Sequence, residues 1–328
     1  MNLTTASLKS AQRIVASFQQ ERHSLRHVGQ DRRPSQMSPD QRGLVNAWQV
    51  SSDVLRGWES VGRQVLSVHP ELVEQIRLSS SSKIEPAVFR ALPYINPMVV
   101  FGDPPELPSH TEGETFRLLG FIAYGKSVFP EKVVGTHDGN AVTFGAEVVI
   151  EVSGAQGSTV EYDTISFPMD GPSFTLAEGV DRVLAMFLWR YGNSDAERGR
   201  AFMARLSKLV IGSVMYLCST TLEAQKVPRK TVDKALSGLS RKPFSLYRVG
   251  WQIGAALSAR RVALEVEKPS TQPKSGYEQD PQHRRAHFKT VWTGEGTRVP
   301  KVVFVAPYWT HVERLGVRGV NTVRKVVV

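Results

Sequence analysis

The chain has 328 residues, of which 41% are hydrophobic, which is enough apolar material for a folded core and excludes a disordered chain. Its length suggests about two domains, and one large domain with an appendage is equally compatible with it. The single cysteine, Cys218, excludes a disulfide framework within the chain and suits a reducing cytoplasm. No stretch approaches the ~20 apolar residues of a membrane span.

The net charge of +10 is distributed unevenly. Residues 1–225 contain 21 Lys and Arg against 24 Asp and Glu, a balance of −3, whereas residues 226–328 contain 20 against 7, a balance of +13. The excess positive charge therefore lies in the last third and indicates an acidic partner, most commonly nucleic acid. A basic surface can also serve an acidic protein, so the charge alone does not identify the polyanion.

Helical periodicity dominates the beginning of the chain. Apolar residues recur every three to four positions and predict a first helix over residues 5–28. A second helix is predicted over residues 44–65, with Trp48 and Trp58 as packing anchors. A third, short helix is predicted over residues 69–77.

The serine run 79–82 marks a change of pattern, because period 3.6 gives way to period 2 after it. We therefore predict a boundary between a helical N-terminal region, residues 1–82, and an α+β domain, residues 83–328. Strands are predicted at 87–92, 97–101, 116–124, 140–152 and 158–167.

Two helices follow, and each begins with a capping box. Thr175-x-x-Glu178 and Ser194-x-x-Glu197 place a hydroxyl and a carboxylate where they satisfy free backbone N–H groups. A basic connector, residues 227–242, is expected to hold one helical turn or two. The predicted fold class is α+β, with a helical N-terminal part, a mostly antiparallel sheet carrying a packed helix pair, and a basic C-terminal hairpin.

The C-terminal hairpin carries the most informative pattern. Residues 283–292 and 301–309 are rich in β-branched and aromatic residues, and glycines separate them, which predicts a β-hairpin. Alternation along the first strand gives a basic face and an aromatic face. The basic face holds His283, Arg285, His287 and Lys289, and the other holds Arg284, Ala286, Phe288 and Trp292. The basic face could bind nucleic-acid phosphates, and the aromatic face could stack on bases. The same pattern is also explained by a solvated basic face and aromatic residues that pack in the core.

An enzymatic alternative rests on the two histidines of this strand. His283 and His287 are candidates for the general base and acid of a metal-independent ribonuclease. Arg284, Arg285 and Lys289 would then stabilise charge on the phosphate. The histidines lie about 13 Å apart on a strand, which counts against joint action and against a shared metal ion. The sequence lacks the familiar phosphate-loop, dinucleotide, zinc-finger and hydrolase motifs.

The hairpin also carries a resemblance. Four motifs of the hairpin resemble the C-terminal signature of one family. They are the string His-Arg-Arg-Ala-His-Phe at 283–288, Trp292, Gly294-x-Gly296 and the Val-Val-Phe-Val strand at 302–305. This family of phage- and plasmid-borne proteins includes an anti-CRISPR inhibitor of the type V-A effector nuclease. Other segments of this family are resembled by three further parts of the chain, namely Pro86–Pro93, Tyr247–Gly254 and the pair Arg260–Arg261. Phe288 and Phe304 stand where Trp is expected, and Val291 stands where an aromatic residue is common.

The resemblance implies a cytoplasmic protein of a bacterial host that recognises the emerging N-terminal polypeptide of a target and causes loss of its mRNA. The target would be a type V-A effector nuclease or another host or plasmid protein. Expected partners are the nascent polypeptide and the ribosome or mRNA, with no membrane, cofactor or metal. A plain RNA- or ribosome-binding module is a further alternative. The candidate nucleic-acid contacts are Arg284, Arg285, Lys289, Trp292, Arg260 and Arg261.

Overall fold

The computed structural model of the protein describes residues 3–30, 52–109, 111–124, 143–168, 172–191, 196–235, 244–266, 282–294 and 299–310. Two sequence predictions lie outside these residues. One is the packing role of Trp48, and the other is the capping box at Ser194.

Helices and strands alternate along the chain. The helices are α1 (Leu3–Gln30), α2 (52–60), α3 (Pro70–Leu78), α4 (Leu176–Tyr191), α5 (Ala196–Leu217), α6 (Arg229–Ala235) and α7 (Trp251–Val266). A 3-10 helix spans Pro86–Ala91. The strands are β1 (Gln64–Val68), β2 (Ser80–Ser81), β3 (Met98–Phe101), β4 (Glu106–Leu107), β5 (Thr115–Tyr124), β6 (Thr143–Gly154), β7 (Gly157–Pro168), β8 (Ala224–Lys226), β9 (Ser245–Val249), β10 (Gln282–Arg284), β11 (His287–Thr293), β12 (Val299–Val305) and β13 (Tyr308–Thr310).

The main sheet has the strand order β7-β6-β5-β3-β1-β9-β8, and β4 pairs with β5 beyond the end of β3. Strand β1 runs parallel to both of its neighbours, β3 and β9, and the other pairs in this sheet are antiparallel. The predicted α+β class with a mostly antiparallel sheet is confirmed. Because β1 precedes Ser82 and its neighbours follow it, the two predicted regions contribute to one sheet.

Helices cover both faces of this sheet. On one face, α1, α2 and α6 pack over residues such as Val100 and Ile122. On the other face, α3, α4 and α5 pack over residues such as Leu66 and Phe121. None of the helices in the described part of the chain is long and apolar enough to cross a membrane.

Several predicted elements are confirmed. Helix α1 buries Leu8, Ala11 and Phe18, as its periodicity indicated. Strands β3, β5, β6 and β7 overlap the ranges where the sequence predicted strands. The capping box at the start of α4 is closed on both sides: the Thr175 N–H donates to Glu178 Oε2 at 2.6 Å, and the Glu178 N–H donates to Thr175 Oγ1 at 3.2 Å.

Two predictions near the N-terminus are wrong. The helix predicted over 44–65 does not reach Val65, which lies in β1. Gly62 and Arg63 have φ of 103° and 52°, and this left-handed turn ends α2 before the strand begins. The strand predicted over 87–92 is the 3-10 helix Pro86–Ala91. Its apolar residues reflect burial, since the ring of Phe89 packs on neighbouring phenylalanines.

Candidate nucleic-acid interface

The predicted C-terminal hairpin is present as β11 and β12, paired antiparallel from His287 opposite Val305 to Thr293 opposite Val299. Strands β10 and β13 continue it as a separate two-stranded sheet, with Arg284 opposite Tyr308. The register is the same in both sheets, and Arg285 is one of the residues in the gap between them.

This gap corrects the prediction of one continuous strand from His283 to Trp292. By the shared register, Arg285 stands opposite Pro307 and Ala286 opposite Ala306, and proline has no N–H to donate to a ladder. The Ala286 carbonyl instead accepts a hydrogen bond from the Ser80 N–H at 3.4 Å. The two histidines therefore belong to separate strands on either side of the gap.

One face of the hairpin is core. Phe288 and Phe304 are opposite each other in the register, have ring centroids 5.1 Å apart and are almost completely buried. Tyr216 of α5 packs edge-on against Phe304 at 5.3 Å. Phe288 therefore packs the interior, and stacking on a base is not open to it.

The hairpin is held against the rest of the molecule on both edges. The Ser82 N–H donates to the Phe288 carbonyl at 3.0 Å, which attaches the chain after β2 to β11. On the other edge, the Thr220 N–H donates to the Val302 carbonyl at 2.9 Å, and the Phe304 N–H donates to Thr221 Oγ1 at 3.2 Å. The exposed side chains of the hairpin therefore project from strands that are hydrogen-bonded to the rest of the molecule on both edges.

The candidate nucleic-acid contacts on the hairpin face solvent. Arg284, Arg285 and Lys289 are exposed, and Trp292, at the far end of the buried face of β11, is 52% exposed. Cations such as these contact phosphate, and an exposed indole can stack on a base. Arg260 and Arg261 lie in α7.

Of the two candidate catalytic residues, His287 is the one whose side chain the structure describes. Its ring is partly exposed, and Nδ1 lies 3.2 Å from the Arg285 carbonyl oxygen. A carbonyl only accepts, so this contact is a hydrogen bond when Nδ1 carries the proton, which leaves Nε2 as the basic nitrogen. His283 lies in β10, opposite Trp309. Among the described residues, no group of three or more His, Cys, Asp or Glu is arranged to hold a metal ion.

A set of cations that sequence reasoning missed lies next to Arg285. Burial lowers the pKa of Lys208, and repulsion by Arg205, Arg77 and Arg285 lowers it further. Burial and Arg77 also lower the pKa of Arg205, although Glu74 opposes this shift. The available signal in the sequence was the spacing of Arg205 and Lys208, two like charges three residues apart on a helix, which is unfavourable without a compensating acid.

The comparisons with known proteins agree with this signature. A family model described as AcrVA2-like, the anti-CRISPR type V subtype A2 family, matches residues 66–312. The match runs from β1 past β13 and includes the main sheet, α5 and the hairpin. The chain therefore belongs to the anti-CRISPR type V subtype A2 family. Comparisons with curated proteins and with solved structures found no match.

Proposed function

We propose that this protein is a cytoplasmic inhibitor that recognises the nascent N-terminal polypeptide of its target during translation and causes loss of the mRNA being read. The target is a type V-A effector nuclease or another host or plasmid protein. The observation that carries the proposal is membership of the anti-CRISPR type V subtype A2 family over residues 66–312.

The exposed cations of the hairpin support the RNA side of this proposal. Arg284, Arg285 and Lys289 are basic side chains that are open to solvent. Neutralising RNA phosphates with such groups releases counterions and gives affinity without sequence preference. Messenger and ribosomal RNA are the polyanions that a protein acting during translation meets.

The edge of the main sheet supports the polypeptide side. Strand β7 is 12 residues long, and β6 is its one partner among the described strands. An emerging polypeptide is extended and still unfolded, so it can add to such an edge through main-chain hydrogen bonds. The opposite edge, β8, is three residues long and offers much less pairing.

The deciding experiment separates the encoded peptide from the RNA sequence. Cells expressing this protein would carry an effector gene with its native start, with a synonymously recoded start, or with a start that is frameshifted over the first codons and restored downstream. Effector mRNA and protein would be followed in each arm. Loss with the native and recoded starts, and none with the frameshifted start, is the expected result, because only the first two encode the same peptide.

Two other outcomes contradict the proposal. Equal loss in all three arms would mean that the peptide is not read. No loss in any arm would mean that a type V-A effector is not the target, and another host or plasmid protein would have to be tested in its place.

Docking on β7 has its own test. A photo-crosslinking residue at Glu161, which is exposed on β7, should crosslink to a ribosome-bound effector nascent chain. The same residue at Lys9, exposed on α1, is the matched control. Equal crosslinking from both positions would remove β7 as the docking edge.

The ribonuclease alternative remains a prediction with a direct test. Purified wild-type protein and the His287→Ala variant would be incubated with RNA in the presence of a chelator. Cleavage by the wild type that the variant loses would favour catalysis by the hairpin. Equal cleavage by both proteins would exclude His287 as the acid or base.

A further inference from the structure

We propose that Arg77, Arg205, Lys208 and Arg285 form one anion-binding site, the cation cluster, which holds the phosphate backbone of single-stranded RNA. The proposal deepens the RNA side of the proposed function and rests on it for the choice of RNA as the ligand. Two of these residues come from α5, one from the end of α3 and one from the gap in the hairpin.

Helix packing brings the first three cations together. Gly212, Lys208 and Arg205 are spaced four and three residues apart on α5, so they follow one stripe of the helix. Helix α3 crosses this stripe closely, because a Cβ at Gly212 would lie 2.5 Å from Ile76 Cγ2. Arg77 follows Ile76 near the end of α3, and its positive charge lowers the pKa of both α5 cations.

The hairpin supplies the fourth cation. After α3, the chain turns at Ser79, and the Ser80 N–H donates to the Ala286 carbonyl at 3.4 Å. This bond brings Arg285, the residue before Ala286, next to the end of α3. The positive charge of Arg285 is felt at Lys208, which places the hairpin gap and α5 at one site.

The charges in the cluster are poorly compensated within the protein. Arg77 donates to both carboxylate oxygens of Glu74, with Nε 2.5 Å from Oε2. Among the described residues, no carboxylate lies within ion-pair distance of Arg205, Lys208 or Arg285. Among the described side chains, these four cations therefore have one ion-paired carboxylate, that of Glu74, and an anion from outside the chain would relieve their mutual repulsion.

The accessibility and geometry of these groups suit phosphate. Arg285 is exposed, while Arg205, Lys208 and Arg77 are partly exposed, so a ligand can reach all four. Guanidinium groups bind phosphate through paired N–H donors, and an ammonium adds a compact charge. Because the register is unbroken across the gap, exposed Lys289 lies on the same face as Arg285 and continues the basic surface along β11. That continuity favours a repeating polyanion such as RNA over a single small anion.

The test uses the full-length protein and a fluorescent 12-nucleotide uridine RNA over a range of salt concentrations. The double variant Arg205→Gln/Lys208→Gln should bind this RNA about tenfold more weakly. The slope of log affinity against log salt should fall by about 1.4, since each lost contact to single-stranded RNA removes about 0.7. Lys9→Gln, on the opposite face of the sheet, is the matched control and should change neither value.

Thermal stability supplies an independent measurement. Because burial and neighbouring cations disfavour the charged form of Lys208, Lys208→Gln alone should raise the melting temperature or leave it unchanged. A purely structural role for Lys208 predicts the opposite, a lower melting temperature. Weaker RNA binding by a variant that is equally or more stable is thus the signature of a binding site.

Three results would overturn the proposal. The first is unchanged affinity and salt slope in the folded double variant. The second is tighter binding of a polyglutamate peptide than of RNA, which would assign the site to an acidic protein. The third is no RNA binding by the wild type, which removes this site but leaves peptide recognition, tested by the recoded and frameshifted starts in cells, standing.

Discussion

The hairpin offers a matched pair of aromatic residues whose roles the structure separates. Phe288 and Trp292 lie on the same face of β11, four residues apart. Phe288 is completely buried and its ring packs against Phe304, whereas Trp292 is 52% exposed. We expect Phe288→Ala to lower the free energy of unfolding by about 3–5 kcal/mol, because it removes buried surface and leaves a cavity.

Trp292→Ala should behave differently. A substitution at the surface changes the free energy of unfolding by less than about 1 kcal/mol. Loss of stacking on a base should instead weaken RNA binding by about 1–3 kcal/mol. Phe288→Leu is the control for shape, and a swap that keeps most of the side-chain volume costs below about 1.5 kcal/mol.

The assay is urea unfolding followed by far-ultraviolet circular dichroism, with RNA affinity measured on the same samples. The midpoint should fall with an unchanged urea dependence, so that the difference reports stability alone. A loss below about 1 kcal/mol for Phe288→Ala would refute the packing argument. A loss for Trp292→Ala as large as that for Phe288→Ala would refute the distinction between the buried and the exposed end of this face.

Three further predictions concern stability and reactivity. Gly120→Ala should lower the urea midpoint, because a Cβ there would lie 2.3 Å from a backbone oxygen of the neighbouring strand, and an unchanged midpoint would contradict that close approach. Burial lowers the pKa of His69, and its Nδ1 accepts from the Glu71 N–H at the start of α3. Its contribution to stability is therefore present above about pH 6.5 and is lost as the pH falls through the folded-state pKa. His69→Asn keeps a capping acceptor without titrating, so the variant should lose less stability than the wild type between pH 7.5 and 5.5, and parallel loss would refute the argument. Burial raises the pKa of the Cys218 thiol, so iodoacetamide should label the native protein far more slowly than the urea-unfolded protein, and equal rates would contradict its burial.

Local patterns predicted the elements that depend on near neighbours in sequence. The periodicity of α1 and the capping box at Thr175 both describe interactions within four residues, and the structure contains both. The hairpin was readable for the same reason, since glycines separate two β-rich runs. The failures at 87–92 and at Val65 arose where apolar residues were buried by distant partners, so that burial alone looked like a secondary-structure signal.

The candidate site also has one part that the sequence predicted and one part that it did not. The charge excess of the last third indicated Arg284, Arg285 and Lys289, and these residues are exposed. The cations Arg205 and Lys208 were hidden, because they lie in the part of the chain whose balance is −3. Arg205 and Lys208 come close to Arg285 only when the chain folds.

The sequence by itself determined the family, the helix and strand content near each local signal, and the basic character of the C-terminal hairpin. These properties depend on hydrogen bonds, side-chain alternation and charges that are close along the chain. The tertiary structure decided that β1 lies inside the main sheet between β3 and β9, and that proline opposite the hairpin's first strand interrupts it. It also decided that cations from α3, α5 and the hairpin gap lie close together. Each of those outcomes depends on residues far apart in sequence, whose contacts are set by packing and not by any local pattern.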